Sequence, residues 1–84
     1  MFHTDEGLTC TNMKLKDLTT AKQCSDAETY ATSFNANARY VNEVHRSDSP
    51  KGCHIYGSGQ MYFNSHPRGT RREGTRSICL IHGN

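Results

Sequence analysis

Four cysteines, Cys10, Cys24, Cys53 and Cys79, constrain this chain more than any other feature. The intervals between them hold 13, 28 and 25 residues. A structural zinc site usually shows at least one close Cys-x(2–4)-Cys pair, and none occurs here. The spacing therefore points to disulfides and to an oxidising compartment. Leu, Ile, Val and Phe together supply only 12 of the 84 residues. A chain of this length buries only about 60–65% of its unfolded surface, so the core is thin. A net charge of only +2 argues against disorder all the same. Two disulfides closing loops of roughly 20–70 residues would each contribute about 3–4 kcal/mol in the chain-entropy model, a sum comparable with the whole stability of a small domain. We expect one disulfide-stabilised module over residues 1–84, extracellular or at a cell surface, with 1–9 as a loose N-terminal segment.

The clearest local pattern runs from Pro50 to Asn64. Pro50 and Gly52 suit a β-turn. Cys53 and Ile55 then alternate with His54 and Tyr56, Gly57-Ser58-Gly59 reads as a hairpin turn, and Met61-Tyr62-Phe63 resumes the alternation. This spacing predicts Cys53, Ile55, Met61 and Phe63 on a core face, with His54, Tyr56 and Tyr62 facing away from it. Upstream, Thr20-Ala21-Lys22-Gln23 matches a capping box. A helix starts there in our reading, puts Cys24, Ala27, Ala31 and Phe34 on one face, and ends around 35–38. A short strand is expected near Leu8-Thr9-Cys10, a charge-protected edge strand over 13–18, and a strand over 39–45 with a bulge near Asn42. The near-continuous apolar run around Ile78-Cys79-Leu80-Ile81 predicts a last, central strand. The fold class is thus α+β, one helix disulfide-stapled onto a small antiparallel β-sheet. Four cysteines allow three pairings. Cys24 on the helix face and Cys53 on the core face of the hairpin favour Cys24–Cys53, which leaves Cys10–Cys79.

Several classes of function find little footing. No run of about 18 apolar residues is present to span a membrane. Residues 1–20 have no apolar segment of the kind a signal peptide carries, so Met1 is read as an added start or as the edge of an excised piece. No Asn-x-Ser/Thr acceptor occurs. Five histidines, His3, His45, His54, His66 and His82, supply residue types for acid–base cleavage of a phosphodiester, but no motif places them, and we expect no enzyme activity, no catalytic residue, no cofactor and no metal. Arg68, Arg71, Arg72 and Arg76 cluster on and beside a Gly-containing loop that Glu73 partly balances. Such a loop suits sulfated or carboxylated polysaccharide, with nucleic acid the weaker partner. Tyr56 and Tyr62 suit stacking on sugar rings or packing on a neighbour.

Three segments carry a resemblance: Ser49-Pro50-Lys51-Gly52-Cys53-His54-Ile55-Tyr56, then Met61-Tyr62-Phe63-Asn64-Ser65-His66, then Ser77-Ile78-Cys79. Together they resemble a short Cys-bearing module of extracellular multidomain proteins from algae and other aquatic protists, with the pattern Pro-x-Gly-Cys-aromatic, Tyr-Phe-Asn and a closing Ile-Cys. Cys24 in an Ala-containing helix fits that module, which is distantly similar to the apple/PAN plan of a helix disulfide-bonded to a small antiparallel sheet. His54 departs from the pattern, standing where the module has an aromatic. The resemblance implies an extracellular adhesion, matrix or carbohydrate-associated role. The leading functional expectation is a non-enzymatic building block of an extracellular fibre, sheath or matrix, formed from copies of this chain. Phe2 and Leu8 at one end and Leu80 and Ile81 at the other would make the assembly contacts. The alternative is a secreted carbohydrate- or polyanion-binding module that uses the four arginines and the two tyrosines.

Overall fold

The computed structural model describes residues 2–4 and 9–81. Its elements in chain order are β1 (Phe2–His3), β2 (Lys16–Asp17), α1 (Ala21–Asp26), α2 (Glu28–Ala31), β3 (Arg39–Val44), β4 (Gly52–Tyr56), β5 (Gln60–Asn64) and β6 (Thr75–Leu80). The strands form one sheet in the order β1-β6-β4-β5-β3, with β2 paired to the end of β6. The fold is α+β: one short helical arm, α1 running into α2, covers one face of the sheet and is stapled to it.

The arm begins where the capping box places it. Thr20 Oγ1 accepts from the Gln23 amide at 3.1 Å, and Gln23 Oε1 accepts from the Thr19 and Thr20 amides at 2.7 and 3.3 Å. Cys24, Ala27 and Ala31 are fully buried, and their small side chains let the backbone lie close to the strands. The arm ends at Ala31, short of the expected 35–38, because Ser33 and Phe34 turn back onto the Tyr30 and Ala31 carbonyls. Disulfides join Cys24 to Cys53, helix to β4, and Cys10 to Cys79, the N-terminal segment to β6. Leu18, Ile55, Met61, Phe63 and Ile78 complete the core between the two layers.

Two N-terminal expectations change. The first strand is Phe2–His3, not the neighbourhood of Cys10. Residues 10–14 form a turn in which Met13 and Leu15 bond back to the carbonyls of Thr9 and Cys10, and Asn12 Oδ1 takes the Thr9 amide and hydroxyl. That turn consumes half of the strand expected over 13–18 and leaves Lys16–Asp17. Leu8 lies outside the described residues.

The sheet is mixed. The pairings β4–β5, β4–β6, β1–β6 and β2–β6 are antiparallel, while β3 runs parallel to β5, with the bulge between Tyr40 and Asn42. This arrangement forces two crossovers. The segment 45–51 leaves β3 beside Asn64 and must enter β4, which also starts beside Asn64, so it arches over the end of β5. The segment 65–74 leaves that same end and must reach Thr75, which pairs with Tyr56 at the far end of β4. It therefore travels the length of a five-residue strand, about 17 Å, across the face opposite the helix.

Asn64 serves both crossovers. Its Nδ2 donates to the carbonyls of Arg46, Ser49 and Pro50 at 2.7, 3.0 and 3.0 Å, and its Oδ1 accepts from the amides of Arg46 and His66 at 2.9 and 3.2 Å. The second crossover is then pressed onto the first: Thr70 N donates to Ser49 O at 2.9 Å, and a Cβ on Gly69 would collide with Lys51 N. Leaving buried amides and carbonyls without partners costs about 1–3 kcal/mol each. Asn64→Asp keeps the acceptor and sets carboxylate oxygen against the carbonyls; Asn64→Ala removes all five bonds. Each is expected to cost about 3 kcal/mol or more in urea denaturation and to speed hydrogen exchange at the Arg46 amide. A loss below about 1 kcal/mol would mean that other contacts hold the crossovers.

Candidate functional site

The face that the crossovers cover carries the chemistry. His54, Tyr56 and Tyr62 leave the sheet on this side, since His54 opposes Tyr62 across the β4–β5 ladder and Tyr56 follows two residues on. Their rings form a closed set. His54 lies 5.9 Å from Tyr62 and 5.7 Å from Tyr56, and the two tyrosines meet edge-on at 5.7 Å. The tyrosines are half-buried rather than flat on an open sheet. His54, expected on a solvated face, is 1% exposed, because the first crossover brings Arg46 and Ser49 beside it, and the second crossover is bonded onto the first through Thr70. A ring-sized cavity of about 170 Å³ opens here between Val44, Ser49, His54, Tyr56, Gln60 and Tyr62.

At the rim, Arg46 holds Asp48 through Nε–Oδ1 at 3.0 Å and Nη2–Oδ2 at 3.2 Å, and Arg72 reaches the same carboxylate at 3.6 Å. The hydrogen bonds from Arg46, and then the charges of Arg46 and Arg72, hold the Asp48 carboxyl below its ordinary range against some desolvation. His54 is pushed the other way. Burial, and after it the Arg72 and Arg46 charges, lower its pKa to about 4, against a smaller opposing effect of the Gly52 backbone.

The four arginines do not act as one patch. Arg71, Arg72 and Arg76 converge with Tyr56 and Phe34 on a cleft of about 480 Å³ at the hairpin end of the sheet. Arg76 is a β6 residue, and its guanidinium lies 4.9 Å from the Phe34 ring centre. Among the described residues Arg71 and Arg76 have no carboxylate partner. Arg68 lies on the other flank of the loop, in a cleft of about 470 Å³ that Lys51, Asp17 and Arg71 also line. There Asp17 is raised by burial, with Lys51 at 3.8 Å opposing the shift.

Sequence reasoning missed one pair. His45 and His66 stand with ring centres 4.8 Å apart. Ser65 Oγ donates to Val44 O and so accepts from His45 Nδ1 at 3.0 Å, whereas His66 Nδ1 accepts from the Arg68 amide at 3.0 Å. Only the parallel pairing of Val44 with Asn64 brings the two rings together, and no local pattern announces that pairing.

The assembly residues divide. Phe2 pairs with Leu80 across β1–β6 and sets its ring 5.9 Å from Tyr30, while Ile81 is 40% exposed. Among the described residues no group of three or more His, Cys, Asp or Glu converges as a metal site, and no helix is long and apolar enough to cross a membrane. Two disulfides, with no membrane-spanning helix among these residues, are compatible with an extracellular location. No family model, curated protein or solved structure matches this chain.

The low pKa of His54 sets a pH dependence. The unfolded chain takes up this proton near pH 6.5 and the folded chain only near 4. Between these values the unfolded state binds more protons, so stability falls as pH falls, by up to about 3 kcal/mol. Thermal unfolding followed from pH 7 to pH 4 is expected to show a falling Tm, with a shallower fall in His54→Phe. An identical fall in both proteins would place the pH sensitivity elsewhere.

Proposed function

We propose that this chain is a secreted, non-enzymatic binding module that takes acidic polysaccharide in the cleft between Arg71, Arg72, Arg76 and Tyr56. The convergence of the three arginines on one half-buried tyrosine is the observation that supports it. Guanidinium groups bind carboxylate and sulfate through paired hydrogen bonds. An aromatic ring beside them supplies the apolar surface on which the C–H face of a sugar rests. Arg72 is already anchored by Asp48, and Arg71 and Arg76 have no carboxylate partner among the described residues. Arg71 and Arg76 are thus the groups available to a ligand.

This reading predicts retention on immobilised heparin or polygalacturonate that weakens steeply with salt. Arg71→Ser is expected to cost about tenfold in affinity, and Tyr56→Ala a comparable amount. RNA, glycan and peptide substrates should be hydrolysed only at background. Retention unchanged in Arg71→Ser would end the reading. Equal, Tyr56-independent retention on single-stranded DNA would reduce it to unspecific charge attraction.

The pairing of β1 with β6 favours a second reading, a building block of a filament or matrix. β1 is a two-residue strand at the chain start whose Phe2 packs at Leu80, and Ile81 stays exposed beside it. Exchange of β1 between copies would reproduce the same contact in trans, and a head-to-tail exchange that does not close gives a filament. Under this reading the intact chain sediments as a polymer at high concentration and a chain lacking residues 1–8 as a monomer with both disulfides formed. A monomeric intact chain would exclude it.

A further inference from the structure

Of the ten lysines and arginines, Arg71 stands apart. It is exposed in the second crossover, and among the described residues neither its backbone nor its guanidinium makes a hydrogen bond or an ion pair. We propose that the Arg71–Arg72 peptide bond is a processing site for a trypsin-like serine endoprotease, and that its hydrolysis switches off the arginine cleft. The cleavage site stands on the geometry of the crossover; the switch rests on the reading of the cleft as an acidic-polysaccharide site.

A protease of this class holds an arginine side chain against a carboxylate in its S1 pocket, so the arginine and the backbone on either side of it must leave the body of the substrate. Exposed loops favour such nicks, but exposure alone does not choose among the cations. Arg46 is bonded to Asn64 through its amide and carbonyl and to Asp48 through its guanidinium. The Arg68 amide donates to His66 Nδ1, and Gly69 beyond it is packed against Lys51. Arg72 is held by Asp48, and its carbonyl accepts from the Thr75 amide and hydroxyl. Lys14 belongs to the bonded turn before β2, Lys51 contacts Asp17 and leads directly into β4, and Lys16, Lys22, Arg39 and Arg76 lie in strands or in α1. Over residues 69–71 one backbone bond, Thr70 N to Ser49 O at 2.9 Å, has to open. Local openings of that size need far less free energy than global unfolding.

Hydrolysis adds one water across the bond, leaving a carboxylate on Arg71 and an ammonium on Arg72. The products, 1–71 and 72–84, remain joined by the disulfide between Cys10 and Cys79. β6 also keeps its place in the sheet, since it pairs with β4 and buries Ile78 and Cys79. The fold therefore survives the cut, and the change falls on the cleft. Arg71 is released from Arg72 and Arg76, which line the cleft with it, and it carries its own carboxylate. Arg72 stays with Asp48. A cleft that gathered three arginines is left with two, and one of these is already paired.

The test is limited digestion of the full, oxidised chain with trypsin, followed by mass spectrometry before and after reduction. The bond after Arg71 is expected to be cut about tenfold faster than that after any other Lys or Arg. The first product should weigh one water more than the intact chain and should separate into 1–71 and 72–84 only on reduction. Gly69→Ala, whose Cβ would push the crossover off Lys51, should speed the cut once a folded spectrum is confirmed, and Arg71→Ser should abolish it. A first cut after any other residue would overturn the site. The two-chain form should keep a folded nitrogen-15 spectrum and lose about tenfold in affinity for polygalacturonate, and excess polygalacturonate should slow the cut in the intact chain. Unchanged affinity in the two-chain form, where Arg71→Ser weakens the intact chain, would overturn the switch. If Arg71→Ser leaves the affinity of the intact chain unchanged, the cleft reading fails and the switch falls with it, while the digestion alone decides the cleavage site.

Discussion

The carboxamide of Asn64 holds this structure's two crossovers in place. A parallel pair, β3 with β5, joined through a strand on the far side of β5 requires the chain to pass over the end of β5. Backbone in such an arch leaves the ladder and loses its partners. Asn64 occupies the last position of β5, under the arch, and has both donors and an acceptor to offer. An apolar residue there would leave the arch unsatisfied, and a carboxylate would offer only acceptors. Because the arch is fixed, the longer crossover has a surface to lie on, and its close approach at Gly69 places Arg71 and Arg72 at the end of the sheet near Tyr56. The site is in this sense a by-product of the topology. The same crossovers that connect the strands enclose the imidazole and the tyrosines.

The disulfides act at a different place. Cys24–Cys53 joins the helix to the centre of the sheet, on the face away from the crossovers, and Cys10–Cys79 closes a sequence separation of 69 residues. In the chain-entropy model such long closures are worth about 3–4 kcal/mol each. They offset a core whose helix contributes mainly alanine and cysteine. A larger apolar residue at Ala27 or Ala31 would add burial and push the arm off the strands. Small side chains and a covalent staple are therefore alternatives to bulk.

Much of this was legible because it is local. The capping box, the hairpin around Gly57-Ser58-Gly59, the bulge in β3 and the helix face bearing Cys24 each depend on residues within a few positions of one another. The pairing of Cys24 with Cys53 followed from those faces. The direction of β3 was not legible. A strand with the composition of 39–44 pairs equally well either way, and what chooses here is the arch over Asn64, a contact between segments about 15–18 residues apart. The burial of His54 was hidden for the same reason: strand alternation assigns a face but does not say whether a loop will roof it. The arginines read as one cluster because they are close in sequence, and they separate because the crossover spans the sheet: Arg68 lies on the flank beside Lys51, whereas Arg71 and Arg72 reach the hairpin end, where Arg76 of β6 joins them.

That placement lets a chain with a net charge of only +2 gather several cations at one end of the sheet. One carboxylate, Asp48, pairs with both Arg46 and Arg72 and leaves one net positive charge among the three, while Lys51 and Asp17 form a balanced pair on the opposite flank. In the cleft beyond Tyr56, Arg71, Arg72 and Arg76 outnumber Glu73, and among the described residues Arg71 and Arg76 have no carboxylate within ion-pair distance. An even ring of cations would attract a polyanion in any register. Under the proposed reading, arginines grouped at one end of the sheet beside Tyr56 would hold a polyanion there rather than along the whole face, and Asn64 sets that placement by fixing the crossovers.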